Sequence, residues 1–330
     1  MTNMQLFGSP KEECILGVDL GATFLRVARV DASGGEWLSV PTPSSMEAEE
    51  VVTSAVRNAS QGMRVHYLGL SRAPGINEQG CVSGWPSRPQ WAGLPLIAWL
   101  RSAAGAPAIS ADDGVCAALW EHRSRIYAPK NAVTACISLG TGLAVGIMAG
   151  DKPLSTGDGA GTLSHQPFAP LDLPCRCGKR GCLQTALSVQ GLETITAAGR
   201  IGDLQEAFQA FIGALRVRYN VDLVTITGGG VDRFGTGFLR QMLIRSAFAA
   251  GVILEVSATP SLSGIGGALL LAAGHTREPG ALWVERVREF IGCKNQRLQR
   301  TAVGFADPVK RVIRDVEIMQ QSETKATQHA

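Results

Sequence analysis

His165, Cys175, Cys177 and Cys182 are the residues whose types and spacing promise the most definite chemistry. Three of the eight cysteines fall in the run Cys175-Arg-Cys177-Gly-Lys-Arg-Gly-Cys182, and the histidine stands ten positions upstream of the first. Three thiolates and one imidazole are a complete tetrahedral set for Zn²⁺, and a set with no open position is structural rather than catalytic. Gly178 and Gly181 let the backbone fold tightly around an ion. The spacing is not a common paired Cys-x-x-Cys pattern, so unrelated cysteines beside a chance histidine stay open as the plainer reading. A disulfide framework is disfavoured, because the other five cysteines are scattered and no secretory leader accompanies them.

A second group of residues combines acids with glycine turns. Asp19 ends the apolar run 14–20 and is followed by Gly21-Ala-Thr23, after which residues 24–30 resume as a strand. Such a hairpin tip suits Mg²⁺ and phosphate oxygens held through water and backbone N–H groups; an ordinary turn beside a capping Asp fits equally. Leu139-Gly140-Thr141-Gly142 makes a second small-residue tip between strands 133–138 and 143–148. Asp112 and Asp113 close the strand ending Ala108-Ile-Ser-Ala111, ahead of the helical pattern 115–122, where an Asp either caps the helix or does acid–base work. Strand 221–226 ends in Gly228-Gly229-Gly230, and Ser263-Gly-Ile-Gly266-Gly267 opens a helix to 273. Glycine at both places would let a flat adenine lie against backbone. In Trp85-Pro-Ser87-Arg88-Pro-Gln-Trp91 the two indoles either line a sugar pocket or anchor the core.

These groups need a scaffold, and the chain has the means to build one. Its 330 residues are enough for two domains, and 45% hydrophobic residues with 39 glycines suit an α/β enzyme with tight turns. Net charge of +3 argues against nucleic acid or an anionic membrane as partner. The first apolar run is far too short to span a bilayer, so we expect a cytoplasmic protein with reduced thiols. Helical spacing occupies 46–59 and 94–101, and residues 65–70 form a strand. Residues 1–13 read as a leader. The tail carries helical patterns at 282–291 and 309–319 with solvated basic faces, and 320–330 has the composition of a disordered end.

Taken together, Gly17-Val-Asp19-Leu-Gly21-Ala-Thr23, Leu139-Gly-Thr-Gly142, Thr227-Gly-Gly-Gly230 and Gly161…His165…Cys-x-Cys-Gly-x-x-Gly-Cys-Leu resemble the ROK family of repressors and sugar kinases, over roughly residues 14–275. The resemblance implies two ribonuclease-H-like, actin-like ATPase domains around a central cleft. The N-terminal domain would span 14–114 and the C-terminal domain 115–275, the latter carrying a structural zinc loop at 165–182. A helical tail at 276–330 would follow. ROK repressors carry a helix-turn-helix domain ahead of this core, and the 13 residues before the first strand are too few for one. The resemblance therefore implies an ATP-dependent kinase acting on a hydroxyl, O6 by expectation, of a hexose, amino sugar or modified hexose. Asp112 matches the general base, as second member of an Asn-Asp-x-Asn motif. Asp19, Gly21, Thr23, Gly140, Thr141, Gly142, Gly228, Gly229, Gly230 and Gly266 match the bed for Mg-ATP. His165 matches a residue that binds zinc and touches the sugar. A homodimer is expected.

Departures from the family pattern fall on the sugar side. Ala111 stands for the Asn before the base and Gly114 takes the motif's fourth position. Thr162-Leu-Ser164-His165 replaces Glu-x-Gly-His, Gln184 replaces the Glu after the last zinc cysteine, and Ser87 replaces the Asn of Pro-Asn. With Ser87, Ala111, Asp112, Thr162, His165 and Gln184 as the expected sugar contacts, two clamping carboxylates have become neutral. A kinase retuned to an unusual sugar follows; the alternative is a catalytically idle ROK protein that binds sugar or nucleotide as a regulator.

Overall fold

Apolar strands and amphipathic helices alternate along the chain, and the strands collect into two five-stranded mixed sheets of one design. The computed structural model describes residues 12–125, 132–154, 160–168, 171–276 and 280–301, with 160–162, 280 and 296–301 described by backbone alone. The expected leader up to residue 11, the helix at 309–319 and the end at 320–330 lie outside the described residues. Strands β1 (Glu13–Leu20), β2 (Phe24–Asp31) and β3 (Gly34–Pro41) form consecutive antiparallel hairpins. Helix α1 (Ala48–Ser60) returns the chain to β4 (Arg64–Arg72), parallel to β1. A small hairpin, β5 (Gly75–Ile76) and β6 (Val82–Gly84), and α2 (Leu96–Ala104) lead to β7 (Ala108–Asp112), parallel to β4. The order is β3-β2-β1-β4-β7.

Helix α3 (Asp113–Arg123) leaves that sheet and the pattern repeats. Antiparallel β8 (Val133–Leu139), β9 (Leu143–Ala149) and β10 (Lys152–Pro153) come first. Helices α4 (Gln184–Leu187), α5 (Val189–Ala197) and α6 (Ile201–Tyr219) then lead to β11 (Leu223–Thr227). Helices α7 (Gly229–Phe234) and α8 (Thr236–Ala249) lead to β12 (Ile253–Val256), giving the order β10-β9-β8-β11-β12. Helices α9 (Ser263–Ala273) and α10 (Gly280–Thr301) close the described chain.

Buried apolar residues follow this layering. Leu16, Val18, Leu68 and Leu70 of the first sheet pack with α1, α2 and the Trp85–Trp91 pair. Both indoles are buried and meet edge to face at 5.2 Å, so they anchor the core and do not line a sugar pocket. The opposite face is covered by α9 and α10 through Ile265, Leu269, Trp283, Val287 and Phe290. In the second sheet, α6 and α8 contribute Phe208, Phe211 and Leu243.

Helices α3 and α9 exchange sides. Each begins at the end of one sheet and packs against the other, so they touch in the middle of the molecule. Their backbones approach too closely for side chains between them: a Cβ on Gly267 would lie 2.0 Å from the Cys116 carbonyl oxygen, and one on Gly266 2.6 Å from the Trp120 ring. On the other flank, a Cβ on Gly69 of β4 would lie 1.8 Å from the Ala268 carbonyl oxygen. Glu121, buried at the end of α3, accepts hydroxyl bonds from Thr227 (3.1 Å), Ser257 (2.6 Å) and Ser263 (2.5 Å). One carboxylate oxygen thus ties α3 to β11, to the segment after β12 and to the start of α9.

This contact predicts opposite effects of one substitution type. Gly267→Ala should lower unfolding free energy by about 1–3 kcal/mol through overpacking, read as a shift in the urea midpoint. Gly213→Ala, inside α6 with open space at its Cβ, should raise it by about 0.5–1 kcal/mol.

Candidate active site

Parallel strands β1, β4 and β7 end on the same edge, and their register gathers the polar residues there. Asp19 pairs across to Ser71, Ser71 to Ala111, and Arg72 to Asp112. The buried Asp19 carboxylate accepts Ser71 Oγ–H on Oδ1 at 2.9 Å and the Arg26 guanidinium on Oδ2 at 3.0 Å. Arg26 reaches it because the β1–β2 register places the two directly opposite. Gly264, in the first turn of α9, approaches so closely that a Cβ there would lie 2.7 Å from Asp19 Oδ1. The positive end of the helix dipole therefore faces this carboxylate.

Asp112 is the N-cap of α3, its Oδ1 accepting the Gly114 N–H at 3.1 Å. Asp113 Oδ1 accepts the same N–H at 2.8 Å. Both residues are half-buried, yet the Asp113 carboxyl is withdrawn from water. Burial first, then the charge and hydrogen bonding of Asp112 and the charge of Asp19, push it well above the usual carboxylate range. Cys116, one turn along α3, is likewise raised by burial and by the same three acids, so it remains an inert thiol.

Just past Asp19 in the chain, the two glycine hairpins meet at their tips. Thr23 at the β1–β2 tip and Thr141 at the β8–β9 tip share a hydroxyl hydrogen bond of 2.7 Å. Each tip is closed internally, by Gly21 N–H to Phe24 C=O (3.0 Å) and Gly140 N–H to Gly142 C=O (2.9 Å). Arg88 fastens the neighbouring loop to the first tip: Nε donates to Ala22 C=O at 2.8 Å and Nη1 to Pro43 C=O at 2.9 Å, with the guanidinium over Trp85. Ser87, just before it, is exposed.

The glycines after β11 divide by role. Gly228 has φ +92° and turns the chain into α7, while a Cβ on Gly230 would collide with the Leu139 side chain, so both serve packing against β8. Gly229 is exposed and open to a ligand. Gly266, expected in the nucleotide bed, is instead buried in the α3–α9 contact against Trp120, where its missing side chain makes room for the indole.

His165, Cys175, Cys177 and Cys182 do converge: their ligand atoms all lie within 4.8 Å of one another, an arrangement that could hold a metal ion. Cys177 Sγ is 3.7 Å from Cys182 Sγ, and Cys175 Sγ is 3.4 Å from His165 Nδ1. Gly178 and Gly181, at φ +87° and +70°, make the turns. Burial and then the Lys179 charge hold His165 below the ordinary imidazole value, in the neutral form a metal requires. Burial and the adjoining sulfurs push Cys182 up to about 12, so its thiolate calls for a cation beside it.

Among the expected sugar contacts, Ala111 offers no polar side-chain atom at the position of the motif's Asn, and the Thr162 side chain lies outside the described residues. Gln184 has its Oε1 engaged by the Leu143 N–H at 3.1 Å. Sequence reasoning noted Asp113 without giving it a role, and missed Arg26. The first was legible as a second frame of the Asn-Asp-x-Asn motif, with Asp112 in the Asn place and Asp113 in the Asp place. The second needed the hairpin register.

Two sheets of one strand order, exchanged helices and paired glycine tips define an actin-like α/β protein. The ROK family model matches residues 15–213, and the chain belongs to the ROK family. A kanosamine kinase of Amycolatopsis mediterranei is 29% identical over 266 residues, covering 76% of this chain and 84% of that one. A glucokinase of Streptomyces coelicolor is 31% identical over 182 residues, 54% of this chain; the chain spans 57% of the length of that relative. The solved structure of a ROK glucokinase from Streptomyces griseus, in complex with glucose and AMPPNP, superposes with a TM-score of 0.64 at 22% identity. That comparison covers 79% of this chain and 99% of the other, and carries the fold alone. No helix among the described residues is long and apolar enough to cross a membrane.

The crowding of acids has a measurable consequence. A carboxyl raised by folding stays protonated in the native state after its unfolded counterpart ionises, so it lowers stability as pH rises through the usual carboxylate range. Asp113→Asn should therefore melt higher than the parent at neutral pH, and the two should converge near pH 3. Melting temperatures across that range check it.

Proposed function

We propose that the protein is an ATP-dependent sugar kinase, acting on a hexose or a modified hexose. The observation that carries this reading is the acid cluster at the ends of β1 and β7 together with the hydroxyl bond that joins the two glycine tips. The sheets would correspond to domains at 14–114 and 115–275 that close over the sugar and exclude water. Backbone N–H groups of the tips around Gly21, Thr23, Gly140, Thr141 and Gly142 would hold phosphate oxygens, and Gly229 the adenosine. Each Asp19 oxygen keeps a lone pair beyond its bond to Ser71 or Arg26, enough to accept from metal-bound water. Magnesium, arriving with ATP, supplies charge neutralisation on the phosphates.

The base belongs to the Asp112–Asp113 pair. Motif matching points to Asp112; the electrostatics favour Asp113, because a desolvated carboxylate with a raised pKa is suited to taking the proton of the attacking sugar hydroxyl. Asp112 would then cap α3 and orient the sugar from the Asn position. The names of the relatives support hexose and amino-sugar substrates, O6 remaining the expected acceptor.

The cysteine–histidine knuckle suits zinc. A tetrahedral ion with Zn–S of about 2.3 Å separates its sulfurs by about 3.8 Å, close to the 3.7 Å between Cys177 and Cys182. His165 Nδ1 would be a ligand, and the knuckle would support the wall carrying Gln184.

Coupled-enzyme assays over a hexose panel should show sugar-stimulated ADP release. If no sugar stimulates it while ATP still binds, the regulator reading takes over. Asp113→Asn should reduce kcat by about 10²–10⁴, with Asp112→Asn retaining more activity; the reverse ranking would make Asp112 the base. Elemental analysis should find one zinc per chain, lost in Cys177→Ser.

A further inference from the structure

Gln184 opens α4 two residues after Cys182, and its side chain does not behave as a spare ligand. Its Oε1 accepts the Leu143 backbone N–H at 3.1 Å, and a Cβ on Gly142 would meet the same oxygen at 3.1 Å. Because a backbone N–H needs an acceptor, the carboxamide can sit only this way round, with Oε1 on the hairpin. Five residues on, the Val189 N–H donates to Gly140 C=O at 2.9 Å. The β8–β9 tip is thus braced from outside at both ends by one short segment, residues 184–189.

That segment is suspended from the cysteine–histidine knuckle. Thr185 donates its backbone N–H (2.8 Å) and its hydroxyl (2.7 Å) to Cys182 C=O, and Leu183 N–H reaches Gln166 C=O, next to His165, at 3.4 Å. Pro167 and Cys182 form an isolated bridge. A path of covalent links and hydrogen bonds therefore runs from the four ligand atoms to Leu143, and on through Thr141 to Thr23 at the other tip.

We propose that Gln184 is a positioning residue that makes the conformation of the β8–β9 hairpin depend on whether the His165–Cys175–Cys177–Cys182 site holds its metal. The inference rests on reading that tip as a phosphate loop only for its effect on nucleotide; the structural coupling stands apart from it. Losing the ion frees Cys182 to move, and with it the acceptor that Leu143 requires. A polar contact of this kind also explains why Gln is tolerated where a carboxylate is expected: either side chain presents an oxygen to Leu143.

Hydrogen–deuterium exchange on the full chain tests this, with zinc-loaded and chelator-treated protein compared for the parent, Gln184→Leu and Gln184→Glu. Exchange at residues 140–143 should rise about tenfold in zinc-loaded Gln184→Leu, with zinc content unchanged, and Gln184→Glu should restore protection. Chelation should raise exchange there in the parent but add less than twofold in Gln184→Leu. Full protection of Leu143 in Gln184→Leu, independent multiplication of the two effects, or a protein that takes up no metal would each overturn the proposal. Should chelation unfold the chain, the zinc-loaded Leu and Glu variants decide alone, since only the former removes the acceptor. AMPPNP affinity, measured in parallel, should weaken about tenfold in Gln184→Leu and recover in Gln184→Glu. Exchange that responds as expected, in a parent that binds no AMPPNP, would retain the coupling and reject the kinase reading.

Discussion

The backbone contact between α3 and α9 is the constraint on which the rest of this molecule depends. Where Gly267 meets the Cys116 carbonyl there is no room for a single methyl group. The helix axes are consequently held at a fixed separation by hard-sphere repulsion on one side and burial on the other. Each helix carries functional groups at its N-terminus: Asp112 and Asp113 on α3, and the turn that presses on Asp19 on α9. Glu121 fastens the opposite end of α3 to three hydroxyls from the second sheet's elements. With both ends held, the acids cannot drift apart to relieve their repulsion.

That rigidity explains the electrostatics. Three carboxylates converge on strand ends where the Arg26 guanidinium is already paired with Asp19. Burial, with the charge and hydrogen bonding of Asp112 and the charge of Asp19, holds the Asp113 carboxyl well above the usual carboxylate range. Such an arrangement is unfavourable for folding wherever the unfolded carboxyl would ionise.

Much of this was legible in the residues, for identifiable reasons. Continuous apolar runs revealed the buried central strands β1, β4, β8, β9 and β11, and helix α9 was bounded correctly at both ends. Strand β3 went unrecognised because it is an edge strand, half-exposed throughout and opening on Gly34-Gly35. Helices α5, α6 and α8 lie between the chemical motifs and carry none of them. The knuckle was readable because its ligands are close in sequence. Gln184 and Leu143 are 41 positions apart, and no local pattern announces such a bond. The acids were found, but their frame was ambiguous by one residue. Asp112 ends a strand and Asp113 begins a helix, so one step along the chain changes which way a carboxyl points.

The departures from the family pattern become mutually consistent when their charges are taken together instead of residue by residue. Reading the motif one residue later places an acid, Asp112, where Asn is expected. Gln184 stands where the family pattern has a carboxylate. Both positions lie against strand β9: Gln184 holds Leu143, and Gly114, the residue after Asp113, packs directly on Val145. A carboxylate at 184 would add a further like charge to a cluster whose Asp113 is already strongly raised, driving that acid still further from ionisation. A neutral amide keeps the acceptor that the hairpin needs without that penalty. The acid gained at the α3 N-cap thus offsets, in charge, the one lost at the start of α4.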